Sequence, residues 1–312
     1  MKKTALFLAM ASATAFVNAE TVEIPVPTFY GKINLTQEFI QQEDGDSYSE
    51  LNSNASRLGV KGDFSLTDNV TAIYQAEYQI DVDGDAGQTF TERNTFIGAK
   101  GSFGRVQAGI FDTALKASQG KVDLFNDLYG DIKNTVTNSD NRPSNILRYQ
   151  SPSFSGLVLT FDHINGESEE VNDEDVSQPN AQSMSAVYNR DNYYVAVAYD
   201  SGLESAETDV VRVTGQVTLG EVKLGALWES EDVDGESSDG MMVSAAFKAF
   251  SAVTLKGQYS ESDIKAEGLS QFSLGADYKL AKNAKVFAYM TNVDYDGETS
   301  DQAYGAGAEY KF

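Results

Sequence analysis

The chain ends in the stretch YGAGAEYKF, residues 304–312, in which two kinds of side chain alternate. Tyr310 and Phe312 share one parity with two alanines and a further tyrosine. Glu309 and Lys311 share the other parity with two glycines. Because a β-strand points successive side chains to opposite faces, this stretch predicts a strand with one apolar and one charged face. On a transmembrane barrel the terminal aromatic rings would lie in the girdle at the membrane boundary, with the charges facing a wet interior.

The same alternation recurs along the whole chain. In RLGVKGDFSL, residues 57–66, Leu58 and Val60 lie on one parity, and Arg57 and Lys61 lie on the other. Segments of the same kind occupy residues 29–39, 70–80, 210–219, 222–229 and 271–280. No helical period of comparable length is present. The pattern predicts an all-β, transmembrane antiparallel β-barrel of about sixteen strands.

The connections between these segments alternate in length. Some are short, such as AKNA at residues 281–284, and others are long and acidic, such as NGESEEVNDEDVSQPN at residues 165–180. Short turns at one end and long polar loops at the other are typical of outer-membrane barrels. Pairing the last strand with the first would also remove the open sheet edge that lipid does not tolerate.

The first twenty residues, MKKTALFLAMASATAFVNAE, have the pattern of a secretory signal peptide. Two lysines precede an apolar stretch that is short for a membrane span of about 20 residues. We therefore predict a signal peptide at residues 1–19 and a single transmembrane barrel domain at residues 20–312. Cysteine is absent. A secreted chain without disulfides needs another source of stability, such as a large core or a closed hydrogen-bonded sheet.

Composition excludes one class of partner and leaves another class of fold open. The chain has 47 acidic and 23 basic residues and a formal net charge of −24, which argues against nucleic acid as a partner. The mean hydropathy of −0.34 would by itself indicate a soluble protein. A barrel with a polar lumen gives the same average. A soluble secreted β-protein, which would be extracted without detergent, therefore stays open as an alternative.

The longest connection lies between Phe111 and Pro143. A loop of about thirty residues within a compact domain is usually functional. Asp123, Asp127 and Asp131 recur in it at every fourth position. On a helical turn these three side chains would share one face, and their mutual repulsion would require a nearby counter-charge. A solvated acidic loop is the alternative interpretation.

In the sequence of its strand segments the chain resembles the Gram-negative general diffusion porins, which are trimeric barrels of sixteen strands. The resemblance covers nearly all of the predicted mature chain, and several segments are similar to recurrent strand segments of that family. They are FYGKINL at 29–35, SRLGVKGDF at 56–64, IYQAEYQI at 73–80, RNTFIGAKGSFGRVQAGIFDT at 93–113, SNILRYQSPSFSGLVLTF at 144–161 and the final YKF. The resemblance implies an outer-membrane homotrimer without cofactors that lets small hydrophilic solutes and ions diffuse passively.

The resemblance also implies roles for particular residues. In this family the third loop folds into the lumen and presents acids opposite a basic wall, which implies a pore-constricting loop at residues 112–143. By likeness of spacing, the loop acids would be Asp123, Asp127 and Asp131. The basic wall would comprise Lys32, Arg57, Arg93 and Arg148. Tyr310 and Phe312 would lie at the membrane interface, in a C-terminal pattern similar to the signal read by the outer-membrane barrel assembly machinery.

The acidic residues raise the questions of ion preference and of metal binding. Their excess predicts a weak preference for cations, which it would concentrate at both mouths of the channel. The stretch DVDGD at residues 81–85 lacks the residue order of a calcium-binding loop, so no metal site is predicted. Looser binding of divalent cations that bridge the loops to outer-membrane lipid and surface glycolipid is a further hypothesis.

A barrel hydrolase and a substrate-specific channel are two alternatives to passive diffusion. A barrel hydrolase would need a general base, and the chain has one histidine, His163, without a nucleophile motif such as G-x-S-x-G. We therefore predict no catalytic residues. A substrate-specific channel for sugars or anions would need an aromatic ladder along the lumen or an excess of basic residues. That function stays open as the alternative.

Overall fold

A computed structural model describes residues 25–42, 45–84, 87–171, 174–177, 179–295 and 299–312. The predicted signal peptide at 1–19 and residue 85 of the DVDGD stretch lie outside the described residues. In this part of the chain, no helix is both long and apolar enough to cross a membrane.

Sixteen antiparallel strands form the barrel. Two of them, β2 and β4, are each interrupted by a short break, and both halves pair with the same neighbouring strand. The strands are β1 Thr28–Gln41, β2 Ser47–Ser53 with Arg57–Thr67, β3 Val70–Ile80, β4 Phe90–Glu92 with Thr95–Gly101, β5 Gly104–Ile110, β6 Ile146–Gln150, β7 Leu157–Ile164, β8 Ala181–Arg190, β9 Tyr193–Ser201, β10 Thr208–Leu219, β11 Val222–Val233, β12 Glu236–Lys248, β13 Val253–Ser262, β14 Leu269–Ala281, β15 Ala284–Tyr295 and β16 Thr299–Lys311.

The sheet closes between its first and last strands. The β1–β16 register begins at Lys32 opposite Lys311 and continues through nine further pairs to Gln41 opposite Gln302. Beyond it, the amide of Phe312 donates to the carbonyl oxygen of Gly31 at 3.1 Å. Closure satisfies the backbone groups that an open edge would expose to lipid. The predicted fold class is therefore confirmed.

The apolar parity faces outward, as the alternation predicts. Leu58 is 39% exposed, Tyr310 is 49% exposed and Phe312 is 54% exposed. The rings of Tyr310 and Phe312 stack with their centroids 5.9 Å apart. Lys32, on the opposite parity of β1, is buried inside the barrel. Hydrocarbon therefore meets the apolar side chains, and the charged side chains line the lumen.

The connection between β5 and β6 folds into the barrel. It begins with a short helix α1 at Ala114–Ser118, whose N-cap is Thr113, and later forms a 3₁₀ turn at Ile132–Asn134. Its apolar side chains pack on the inner wall in three clusters. These are Leu115 with Ala198 and Val210, Val122 with Leu227 and Met242, and Phe125 with Phe287 and Tyr289. The loop thus fills the β9–β15 side of the lumen and leaves the opposite side open.

Candidate functional site

A cavity of about 700 Å³ lies between the inward loop and the wall formed by β2, β3 and β4. Its lining is dominated by charged and amide side chains, and the charges are nearly balanced. The basic residues are Arg57, Arg93, Lys116, Lys121, Lys133 and Arg142, and the acidic residues are Asp83, Asp112, Asp127, Asp131 and Asp140. Charges of both signs therefore face each other across this cavity.

Lys32 and Asp127 join the wall to the loop. The Lys32 Nζ lies 3.1 Å from Asp127 Oδ2. Asp127 has a φ of +65°, in the left-handed region that aspartate tolerates better than most residues. Burial would raise the pKa of Asp127, but the nearby Lys32 ammonium and the more distant Arg57 and Arg93 lower it below its ordinary value. The Asp127 carboxylate is therefore held in its ionised form.

Arg57 and Arg93 share an acid on the wall itself. The Glu77 Oε1 lies 2.9 Å from Arg93 Nε and 3.8 Å from Arg57 Nη1. The Tyr30 hydroxyl donates to the other Glu77 oxygen at 3.0 Å. The alternation along residues 70–80 did not indicate this role for Glu77, since pairing across strands depends on register. The wall therefore presents two guanidinium groups whose positive charge is partly compensated by Glu77 on the same wall.

Arg148 lies on the wall but does not line the cavity. Its Nε and Nη2 donate to the two oxygens of Asp162, both at 2.6 Å, and its Nη2 also donates to the carbonyl oxygen of Asp112 at 2.8 Å. The same Asp162 accepts the amide of Ala114 at 2.7 Å. Bidentate pairs of this kind are strong and directional. Arg148 and Asp162 thus fix the start of the loop.

Asp123 and Asp131 are buried and accept hydrogen bonds from the loop backbone. Asp123 accepts the amides of Phe125 at 2.8 Å and Ile132 at 3.2 Å. Asp131 accepts the amide of Asp127 at 2.7 Å. The segment from 123 to 131 is not helical, so the three acids do not share a helical face. Burial raises the pKa of both buried carboxyls, and for Asp123 the Asp131 charge adds to this effect. Of the three acids, Asp127 is the one that contacts a wall base.

The loop also carries basic residues that sequence analysis did not single out. The Arg142 Nη2 lies 2.8 Å from Asp112 Oδ1, and the Lys116 Nζ lies 3.1 Å from Asp140 Oδ2. These pairs lie at the two ends of the loop and join them to each other. The loop is therefore a mixed-charge surface and not a uniformly acidic one.

A buried arginine fastens the loop to the opposite wall. Arg212, on β10, pairs with Glu229 on β11, and neither side chain is exposed. Its Nη1 donates to the carbonyl oxygen of Leu115 at 3.2 Å, and its Nη2 donates to Thr137 Oγ1 at 2.8 Å. Arg212 therefore crosslinks the descending and ascending limbs of the loop. The alternation along residues 210–219 predicts a strand but does not indicate that Arg212 meets the loop.

The tip of the loop is held by wall side chains of β13 and β14. Gln258 and Gln271 donate to the carbonyl oxygen of Gly130 at 3.2 and 2.8 Å. The Lys256 Nζ donates to the carbonyl oxygen of Leu124 at 2.8 Å. These contacts satisfy loop carbonyl groups that would otherwise be buried without partners. They attach the tip to the wall at β13 and β14.

The single histidine lies apart from these groups. His163 is on the outward parity of β7, opposite Leu147 and Gln182. Its neighbour Asp162 points inward to Arg148. His163 therefore does not take part in the charged lining of the lumen.

A closed barrel with an apolar outside, a charged lumen and an inward loop defines a channel protein of the outer membrane. A family model described as Gram-negative porin matches residues 5–298. The chain therefore belongs to the Gram-negative porin family, whose members form diffusion channels in the outer membrane.

Two curated relatives align with most of the chain. The major outer membrane protein P.IB of Neisseria meningitidis serogroup A is 25% identical over 321 residues, covering 100% of this chain and 89% of that protein. A monosaccharide porin of a Halomonas species is 26% identical over 275 residues, covering 77% of this chain and 73% of that protein. The P.IB protein of Neisseria sicca is 29% identical over 195 residues, covering 55% of this chain and 51% of its own length.

Solved structures show the same fold at lower sequence identity. The anion-selective porin from Comamonas acidovorans has a TM-score of 0.76 at 19% identity and covers 92% of this chain and 99% of its own. OmpT of Vibrio cholerae in its trimer form has a TM-score of 0.69 at 18% identity, covering 92% of this chain and 99% of its own. At these identities the likeness supports the barrel architecture.

Proposed function

We propose that this chain forms a water-filled channel for the passive diffusion of small hydrophilic solutes and ions, with a weak preference for cations. The observation that carries the proposal is the open cavity beside the loop, lined by charges of both signs. Charges across a narrow, partly desolvated gap interact more strongly than in bulk water. Polar solutes can orient in that field, whereas apolar solutes would have to displace ordered water. The cation preference is supported by the acidic excess of the whole chain.

The predicted constriction residues take different parts in this proposal. Arg57, Arg93 and Asp127 supply the field across the passage because they line the open cavity, and Lys32 contributes through its ion pair with Asp127. Arg148, Asp123 and Asp131 hold the loop in shape through the contacts described above. The channel works without catalytic residues, and its driving force is the concentration gradient of the solute.

Reversal potentials in planar bilayers test the ion preference. In a gradient of dilute KCl we expect a potassium-to-chloride permeability ratio of about three, the ratio that a negative potential of about half a kT per unit charge would give. Because the Debye length falls from about 30 Å at 0.01 M to about 3 Å at 1 M, the preference should weaken in concentrated salt. A reversal potential that favours chloride in dilute salt would contradict the cation preference but not the channel.

An anion-preferring or solute-specific channel is the second candidate. Six bases and five acids line the cavity, so the narrow region does not share the acidity of the whole chain. The Comamonas porin of the same fold is described as anion-selective, and the Halomonas relative is described as a monosaccharide porin. A chloride preference that persists in dilute salt, or saturable block by one class of sugar, would favour this candidate.

We also propose that the chain assembles as a homotrimer in the outer membrane, as the trimer form of a Vibrio neighbour suggests. The exposed terminal pair Tyr310 and Phe312 would be recognised by the barrel assembly machinery, and divalent cations would bridge the acidic loops to surface glycolipid.

The trimer can be tested by size. Size measurement of the detergent-extracted protein should give three copies per particle before heating and one copy after it. A detergent-free monomer would contradict both the assembly and the membrane location.

A further inference from the structure

A second cavity lies in the lumen, at the end of the barrel that carries the short turns. It has a volume of about 360 Å³ and is lined by β1–β5. Lys100 and Arg105, which are paired across the two-residue turn between β4 and β5, form part of its wall. Because short turns face the periplasm in outer-membrane barrels, we call this cavity the periplasmic chamber. It belongs to the same open side of the lumen as the constriction.

The periplasmic chamber carries more positive than negative charge. Lys61, Lys100 and Arg105 line it, and Asp63 is the one acid among its lining residues. The Lys100 Nζ lies 2.8 Å from Asp63 Oδ2, so these two charges compensate each other. Lys61 and Arg105 form no ion pair with any acid in the described part of the chain. The chamber therefore has two cationic groups without a counter-charge.

Aromatic rings and strand register hold both groups in place. The Arg105 guanidinium lies 5.0 Å from the centre of the Phe96 ring, and the Lys61 Nζ lies 4.9 Å from the centre of the Tyr30 ring. The Arg105 Nε is buried and has no hydrogen-bond partner among the described residues. A buried donor without a partner is costly, so this arginine carries unmet hydrogen-bonding capacity. Ring stacking leaves the edges of a guanidinium free for bidentate contact with an oxyanion.

We propose that the periplasmic chamber binds a small oxyanion with two negative charges, held by Arg105 and Lys61. Two unpaired cations match that charge, and the planar guanidinium matches the geometry of a phosphate or carboxylate group. The cavity volume lies within the range of sites for small molecules. The site rests on the proposed channel function, because an open passage is what exposes the chamber to solutes. Such a site would let anions bind transiently as they cross a channel whose overall charge is acidic.

Inhibition of the chloride current by inorganic phosphate tests this site. Phosphate added to either side of a planar bilayer should reduce the chloride part of the single-channel KCl current, with half-inhibition of that part at roughly 1–10 mM, the range for an ion held by a few water-exposed charges. In a Lys61→Gln/Arg105→Gln variant the required phosphate concentration should rise about tenfold. Lys248→Gln, which removes an exposed lysine paired with Glu221 at the same end of the barrel, is the matched control and should keep the wild-type response.

Asp63→Asn provides a test in the opposite direction. It releases Lys100 from its partner and should lower the phosphate concentration for half-inhibition about threefold. Succinate in place of phosphate separates the two oxyanion chemistries, and inhibition by either supports the site. Equal inhibition in wild type, the double variant and Asp63→Asn would overturn it. Open-channel current without phosphate reports the channel function by itself, so failure of the channel and failure of the anion site give different results.

Discussion

Replacing Arg212 by methionine is expected to destabilise the barrel by about 3–5 kcal/mol and to release the inward loop. Arg212 and Glu229 are both fully buried, and the second Glu229 oxygen has no hydrogen-bond partner among the described residues. The substitution leaves a carboxylate in a dry site without its counter-charge. It also removes the two hydrogen bonds that join the loop limbs at Leu115 and Thr137. Denaturant unfolding in detergent measures the loss, and increased current noise in single channels reports the loosened loop.

Two further variants separate the buried charge from the lost side chain. Arg212→Met/Glu229→Leu removes both charges, and we expect it to recover more than half of the lost stability, since a buried pair often contributes little net free energy. Its loop should stay loose, because the hydrogen bonds to Leu115 and Thr137 remain absent. Arg190→Met removes an exposed arginine paired with Asp191 and should change stability by less than about 1 kcal/mol. An Arg212→Met variant as stable as the wild type would contradict the role assigned to this pair.

The barrel could be predicted from the sequence because one physical constraint acts on every strand. Lipid outside and water inside impose a period of two along each strand, and this pattern is legible in local segments such as residues 57–66 and 304–312. Closure between the first and last strands follows from the same constraint. The breaks in β2 and β4 could not be predicted in this way. In β2 the break contains Ala55 with a φ of +48°, and neither the hydrophobic pattern nor a glycine marks it.

The lumen could be predicted only in part, because side-chain pairing inside a barrel depends on register and on the path of the loop. The family resemblance implied that Lys32, Arg57, Arg93 and Arg148 form a basic inner wall. It did not indicate that wall acids would neutralise three of them, through Glu77 and Asp162. The regular spacing of the loop acids suggested a shared face.

In the structure the three loop acids have different roles: Asp123 and Asp131 are buried in the loop, and Asp127 pairs with a base of the wall. Two of the three carboxylates satisfy buried amides of the loop, where an unpaired donor would be costly. Asp127 adopts a left-handed backbone conformation and reaches Lys32. No periodicity in the sequence distinguishes these cases, because the difference arises from how the loop folds against the wall.

Removing the two guanidinium groups that face the passage should strongly shift ion selectivity. In an Arg57→Gln/Arg93→Gln variant we expect the potassium-to-chloride permeability ratio to rise about tenfold, since removing two charges beside the path changes the energy of a potassium ion relative to that of a chloride ion by about 1–2 kcal/mol. Glu77 adds to the effect, because it loses both of its basic partners and its charge is then uncompensated. Reversal potentials in a KCl gradient give the ratio directly.

Glu77→Gln removes a negative charge at the same place and should shift the potassium-to-chloride permeability ratio toward chloride, because it leaves Arg57 and Arg93 without their shared acid. The triple variant Arg57→Gln/Arg93→Gln/Glu77→Gln should give a ratio between the two. Removing Arg190, an exposed residue that lines neither cavity, should leave the ratio unchanged. This order of variants follows only if the local charge of the passage controls which ion passes. If the ratio instead stays constant across the series in folded channels, the acidic loops at the mouths control selectivity, and the charged wall serves to hold the loop.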